Sequence, residues 1–282
     1  MKRGGVLAFV GLGLAPEDIP IRALKFLKNC DEIYLENYTS LIPGLTAQNV
    51  SSLIGKDVTP VSRRDLEEEN GDKLIKAAME GKVVALLVPG DPFVATTHVA
   101  IRLRAEKLGV RTVVYNAPSI LTAVIGATGL QPYKFGRIVT IVYPEEKYGF
   151  FPKTPYEVLR DNLARGLHTL FLLDLKLEQG LAMTVGEAAR LLLEMEQRIG
   201  EGVLNDNTLG VGLARIGTSN ARVLAATLSE LASVDLGPPP HSLVIPGKLH
   251  PLEAEALIIL CGAQEEVVRR WNLRFRRELE ST

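Results

Sequence analysis

Two short, unbroken apolar runs, each closed by glycine, restrict the fold of this chain more than any other feature. Val6-Leu7-Ala8-Phe9-Val10 ends at Gly11 and Gly13, and Val83-Val84-Ala85-Leu86-Leu87-Val88 ends at Pro89-Gly90. Apolar runs this short and without alternation belong to strands covered on both faces, as in a parallel sheet flanked by helices. The segments between them agree. Ile21, Leu24 and Leu27 recur at helical spacing behind Pro20, and residues 32–36 are extended again. Helical segments are predicted near residues 46–53 and, densely charged, over 64–80. Beyond Gly90-Asp91-Pro92 the pattern predicts a helix over 97–108, a strand over 110–115, the turn Asn116-Ala117-Pro118-Ser119 and a helix of small residues to about Thr128. Strands alternating with helices give an α/β fold with a mainly parallel sheet.

A chain of 282 residues exceeds the usual single-domain size, so two α/β domains are expected. The turn formers of Gly129-Leu130-Gln131-Pro132-Tyr133-Lys134-Phe135-Gly136 interrupt the rhythm, which sets an N-terminal domain over 1–132 and a C-terminal domain over 133–282. In the latter, strands are predicted at 138–142, 169–173, 209–213, 223–226 and 242–245, giving a mixed sheet that can include antiparallel strands.

The net charge of −1 gives no overall positive field, which argues against direct nucleic-acid binding as the main activity. The arginine-dense end, residues 269–280, reads as a solvated helix face. Two cysteines, Cys30 and Cys261, make neither a disulfide framework nor a zinc site, and a reducing cytoplasm suits them. Met1-Lys2-Arg3 ahead of an apolar stretch imitates a signal peptide, but the stretch is short, broken by glycine and lacks a cleavage site. No run has the roughly 18 apolar residues of a membrane span.

Gly11-Leu12-Gly13-Leu14-Ala15-Pro16 lies between a strand and a helix, and Glu36 closes the second strand, the arrangement of a dinucleotide site. Pro16 replaces the third glycine of that fingerprint, leaving a nicotinamide dehydrogenase as the second reading and a plain tight turn as the third. Pro89-Gly90-Asp91-Pro92 caps the most apolar strand. In a parallel sheet ligands gather at the carboxyl ends of strands, so residues 11–14, Glu36, Asp91 and Ser119 can converge on one rim. The residues alone leave Asp91 open between a ligand contact and a turn former. His98 on a helix face and His168, sharing a strand face with Leu170 and Leu172, read as hydrogen-bonded structural histidines, whereas His241 stands at a domain rim suited to a ligand contact. The histidines lack metal-site spacing, so no metal is expected. Serine-hydrolase elbows and phosphate loops are absent from the sequence.

Several strings taken together resemble the diphthine synthase branch of the tetrapyrrole methylase superfamily. They are Phe9-Val10-Gly11-Leu12-Gly13-Leu14, Glu36-Asn37-Tyr38-Thr39-Ser40, Pro89-Gly90-Asp91-Pro92-Phe93-Val94-Ala95-Thr96-Thr97-His98 and Asn116-Ala117-Pro118-Ser119-Ile120. The likeness continues through Tyr133-Lys134-Phe135-Gly136, residues 166–174 and residues 239–250, and so spans nearly the whole chain. The Gly-Asp-Pro turn is shared across the superfamily, while its extension to His98 points to the diphthine branch, in a compact form similar to archaeal members. The chain departs from the pattern in the residues before Val6 and in its arginine-rich end, and neither touches a motif.

This resemblance implies an S-adenosylmethionine-dependent methyltransferase of diphthamide biosynthesis. It would methylate the amino group of a modified histidine on translation elongation factor two, stepwise to the trimethyl stage. It further implies a cytoplasmic homodimer with its active site in the cleft between the domains. By motif matching the cofactor contacts are Leu14, Asp91, Val94, Ser119 and Ile120, with Leu172, Leu213 and His241 from the second domain. Tyr38 and Phe93, beside the rim motifs, are candidates for the acceptor pocket because aromatic faces favour methylated ammonium. No catalytic base is assigned.

Overall fold

The computed structural model describes residues 4–36, 38–145, 147 and 149–280, so Met1, Lys2 and Arg3 of the signal-like opening and Asn37 of the second motif lie outside the described residues. Two compact units are present, Met1–Ile120 and Leu121–Thr282, so the boundary expected after residue 132 falls inside the second unit.

The first unit is a five-stranded parallel sheet in the order β3-β2-β4-β1-β5. Its strands are β1 (Val6–Gly11), β2 (Glu32–Glu36), β3 (Thr59–Val61), β4 (Val83–Val88) and β5 (Arg111–Tyr115). The helices are α1 (Ile21–Leu27), α2 (Ala47–Ile54), α3 (Asp72–Met79) and α4 (His98–Lys107). Alternate residues of each strand feed opposite faces. Leu7, Phe9, Val84, Leu86 and Val88 pack with Leu74, Ile75, Ile101 and Ala105 of α3 and α4. Ala8, Val10, Ala85 and Leu87 pack with Ala23, Leu27, Val50 and Ile54 of α1 and α2. Both apolar runs are therefore covered on two sides, as their lack of alternation requires.

One expected element is corrected. The charged helix over residues 64–80 is interrupted: a π-type turn, Arg64–Glu68, is followed by Asn70 and Gly71 at φ 50° and 66°, and α3 starts only at Asp72. Left-handed backbone at two successive residues ends a helix, and Asn-Gly adopts it at low steric cost.

Helix α5 (Ile120–Thr128) begins at the division between the units. The second unit holds a mixed five-stranded sheet in the order β11-β10-β12-β7-β6. These strands are β6 (Val139–Ile141), β7 (Thr169–Leu173), β10 (Leu209–Ala214), β11 (Arg222–Thr227) and β12 (His241–Ile245). Only β6 and β7 run parallel within it. A small hairpin pairs β8 (Leu175–Lys176) with β9 (Leu181–Ala182). The helices are α6 (Thr154–Leu163), α7 (Val185–Ile199), α8 (Leu228–Leu231), α9 (Pro251–Cys261) and α10 (Glu265–Glu280). Thr184 starts α7 with a reciprocal cap to Glu187, and Gly200 at φ 73° ends it. No helix among the described residues is long and apolar enough to cross a membrane.

Candidate active site

Topology sets the loops after β1 and β4 side by side at the carboxyl end of the first sheet, the end at which ligands of parallel sheets bind. The chain leaves β1 towards β2 with α1 on one face, and leaves β4 towards β5 with α4 on the other. The two connections run in opposite directions and cross on opposite faces of the sheet. Here a clasp joins those two loops. Leu12 N–H donates to the Val88 carbonyl at 2.8 Å, Gly13 N–H to that of Gly90 at 3.2 Å, and Gly90 N–H to that of Gly13 at 2.7 Å. A Cβ at Gly11 would lie 2.6 Å from the Gly90 carbonyl oxygen and 2.7 Å from Ala117 Cβ. Hence the loops after β1, β4 and β5 meet at one point.

The electrostatics of this rim separate the cofactor classes. In a dinucleotide fold the amides after the first strand face a pyrophosphate. In this chain the N–H groups of Leu14 and Ala15 donate to the Asp18 carboxylate at 2.9 and 3.1 Å. Those two amides are thus already taken by an acidic side chain of the same loop. Glu36, the expected ribose partner, is fully buried and bound to its own loop, accepting from Tyr38 N–H (2.8 Å), Thr39 N–H (2.6 Å) and the Thr39 hydroxyl (2.8 Å). Such a rim suits a cofactor that carries positive charge and no phosphate.

Asp91 performs the turn role that was left open: one carboxylate oxygen accepts from Phe93 N–H at 3.0 Å and the other from the Asn116 side chain at 2.9 Å. That second bond ties the loop after β4 to the loop after β5. Beyond it Ala95 is held at φ 55°, a conformation that non-glycine residues seldom adopt. The Pro92 carbonyl stabilises the bend by accepting from Thr96 Oγ1 at 2.8 Å and His98 Nδ1 at 3.0 Å. Leu14, Val94 and Ile120 are half-buried and Ser119 is buried, so three of these four keep accessible surface.

In the second unit Leu172 and Leu213 are brought together by register. Thr140, Leu172, Ser242, Leu213 and Val223 form one row across all five strands, and paired residues share a face. His241 is one residue out of that row and faces the opposite side. Its ring is fully engaged there: Nδ1 accepts the Val185 N–H that opens α7 (3.1 Å), which leaves Nε2 as donor to the Pro238 carbonyl (3.2 Å). Burial lowers its pKa, so the ring stays neutral. Its side chain is a structural brace, leaving the backbone as the part able to meet a ligand.

Tyr38 and Phe93 belong to the apolar cluster on the α3 and α4 side of the first sheet. Phe93 tilts against Phe9 at 5.2 Å and lies under the Arg102 guanidinium, while Arg63 stands 5.2 Å over the Tyr38 ring. Burial, with Glu36 nearby, pushes the Tyr38 hydroxyl pKa up. Tyr38 is almost wholly buried, so of the pair Phe93 offers more surface. Both cysteines are buried and free, their thiols pushed up to about 12 and about 11 by desolvation. Among the described residues no group of three His, Cys, Asp or Glu side chains is arranged to hold a metal ion.

Residues 6–232 match the family described as Tetrapyrrole (Corrin/Porphyrin) Methylases. The diphthine synthase of Methanocaldococcus jannaschii is 44% identical over 259 residues, covering 91% of this chain and 99% of that one. The chain belongs to the diphthine synthases. The diphthine synthase of Staphylothermus marinus is 42% identical over 270 residues, covering 95% of this chain and 98% of its own. A crystal structure of diphthine synthase aligns with a TM-score of 0.84 at 38% identity, over 94% of this chain and 99% of that chain. As a member of this family the chain is an S-adenosylmethionine-dependent methyltransferase.

Strings that lie away from the rim meet in a hydrogen-bond network of the second unit. Lys134, His168 and His250, from three separate motifs of the diphthine synthase pattern, converge on Glu253 of α9, which sequence reading missed. This fully buried carboxylate accepts from His168 Nε2 (2.9 Å), Gln131 N–H (2.9 Å), His250 N–H (2.7 Å) and the Lys134 ammonium. Those donors hold its pKa down at about 2 against the opposing effect of burial. Gly247 N–H donates to His168 Nδ1 at 2.9 Å and so fixes the tautomer that serves Glu253. The hydrogen-bonded structural role expected of His168 holds, although the residue precedes β7 and bridges to Phe135 rather than lying within the strand. The one advance signal for Glu253 was its place three residues after His250 and next to Pro251-Leu252, a capping-box spacing.

Proposed function

We propose that this chain transfers methyl groups from S-adenosylmethionine to the amino nitrogen of the modified histidine of translation elongation factor two, repeating the step to the trimethylammonium. The observation that carries the cofactor assignment is the Asp18 carboxylate on the Leu14 and Ala15 amides, which disfavours a phosphate-bearing cofactor and favours a sulfonium. The proposed contacts are Leu14, Asp91, Val94, Ser119 and Ile120, with Leu172, Leu213 and the backbone of His241 from the second unit. Family membership supports them.

The bound cofactor supplies an electrophilic methyl carbon. What the protein contributes is orientation: the clasped loops would hold the cofactor at the rim, and Phe93, the less buried of the two aromatic candidates, would offer aromatic surface to the acceptor. The attacking amine must be neutral. An α-amino group of pKa about 7.7–8.0 is neutral in roughly a tenth of molecules at pH 7, and desolvation raises that share. A dedicated strong base is therefore unnecessary for the first attack. The third product has no lone pair, so the sequence ends itself.

Asp91→Ala is expected to weaken S-adenosylmethionine about tenfold by calorimetry, as loss of two hydrogen bonds to a charged group loosens the turn. An unchanged dissociation constant would confine Asp91 to the turn alone. Tighter binding of NAD than of S-adenosylmethionine by the wild type would overturn the cofactor reading. Substrate is tested separately: elongation factor two carrying the unmethylated intermediate should gain whole methyl groups by mass spectrometry. No gain would reject that acceptor while leaving the methyltransferase class intact.

A further inference from the structure

The loop that leads into β12 has few means of holding its own course. Pro238, Pro239 and Pro240 have no N–H group, and the N–H of Gly237 is taken by the Asp235 side chain at 2.7 Å. Ordinary main-chain pairing therefore cannot fix this segment. A single residue, Arg215, serves three alternate carbonyls along it instead. Its main-chain N–H donates to Pro240 at 2.8 Å, its Nη2 to Leu236 at 2.8 Å and its Nη1 to Pro238. Its Nε donates to the Asn220 carbonyl at 3.1 Å, which ties in the turn ahead of β11. The side chain is buried, where an unpaired charge would be costly, and Gly237 lies close against it: a Cβ there would stand 3.3 Å from Nη1. The Arg215 backbone is held at φ 51°, a left-handed conformation that non-glycine residues keep where their surroundings enforce it.

The course of that loop matters because it delivers His241. The Pro238 carbonyl that accepts from Arg215 Nη1 also accepts from His241 Nε2 at 3.2 Å, and Arg215 directly follows Ala214, the residue paired with His241 across β10 and β12. Leu213 precedes that pair by one residue. We propose that Arg215 is a positioning residue for cofactor binding: its guanidinium sets residues 236–240 and thereby the place of the His241 main chain beside Leu213. The proposal rests on the cofactor contacts assigned above and extends them to a residue that acts through His241. An arginine is required because a planar fork of five N–H donors on three nitrogens serves Leu236, Pro238 and Asn220 together. Lysine carries the same charge with all its donors on one nitrogen, and it cannot span these carbonyls.

Arg215→Gly removes the fork while keeping the N–H that meets Pro240 and a backbone at ease at φ 51°. Calorimetry should find S-adenosylmethionine bound about tenfold more weakly by this variant, since the charge-assisted bonds that fix the loop are gone, with circular dichroism unchanged. Added ethylguanidinium ion should restore most of the affinity, and ethylammonium ion, of equal charge, should not. Arg215→Lys should bind as weakly as Arg215→Gly without the added ion. Wild-type affinity in either folded variant overturns the role of Arg215, even if urea denaturation shows lower stability, because a purely structural residue would behave in that way. Recovery with both ions alike, or with neither, overturns it as well. If Arg215→Gly fails to fold, Arg215→Lys decides the matter, since it keeps the charge and the buried stem. A wild type that does not bind S-adenosylmethionine overturns the cofactor reading itself, and that result is seen before any variant is measured.

Discussion

Glu253→Ala should destabilise the chain by about 3–5 kcal/mol, the range seen when one partner of a buried charge network is removed. The loss has an identifiable origin. It strands the Lys134 ammonium beside a fully buried site, and it leaves the His168 Nε2–H and the amides of Gln131 and His250 without their acceptor. Glu253→Gln keeps an acceptor oxygen but turns an amide NH₂ towards the donors, so it should recover only part of the stability. Urea denaturation of the three proteins checks this, and a cost for Glu253→Ala within experimental error of zero would show that the network contributes nothing net. Acid dependence follows with a definite sign. The Glu253 carboxyl titrates at about 2 when folded against 4.5 ordinarily, so the folded state binds fewer protons, and its stabilisation, complete above 4.5, is lost as pH falls towards 2. Burial likewise lowers His98, His168 and His241 from 6.5, so unfolding should become easier as pH drops below 6.5, before the carboxylate contribution begins to fade. A denaturation midpoint constant from pH 7 to pH 5 would contradict neutral burial of the three rings.

Gly11→Val is expected to reduce S-adenosylmethionine affinity by about 10- to 100-fold, since overpacking a close contact costs about 1–3 kcal/mol and here displaces the loops themselves. Gly11 is absent from the left-handed region, so its need is for space and not for backbone freedom. The added Cβ would press on the Gly90 carbonyl and Ala117 together, forcing the loops after β4 and β5 away from the loop after β1. Calorimetry reads the affinity, and circular dichroism shows whether the fold survives. Wild-type affinity in a folded variant would place the cofactor away from this junction.

Much of the framework was legible because apolar continuity and helical spacing are local signals. Val6–Gly11 and Val83–Val88 read as doubly covered strands, and the structure covers both faces. The edge strand Thr59–Val61 escaped notice because three residues with a central proline carry almost no pattern. The site was legible in its loops and not in its wiring. Asp18, Asn116 and Glu253 act through partners set by tertiary packing or by a turn, and Glu253 meets Gln131 and Lys134 from more than a hundred positions away. His241 illustrates the reverse: its rim position is visible in the sequence, but the direction of its side chain depends on where α7 begins.

The three-bond clasp between the loops after β1 and β4 has a consequence for how this rim responds to change. Neither loop can open without breaking the other's hydrogen bonds, so their amides at Leu12, Gly13 and Gly90 should exchange with solvent deuterium as a single cooperative unit, at one common opening free energy. Substitutions at Leu14 and Val94, though eighty residues apart in sequence, should then fail to add in a double-mutant cycle on ligand affinity. Transplanting one loop from a distant relative should fail where transplanting both succeeds, which makes the pair of loops the unit of inheritance at this rim.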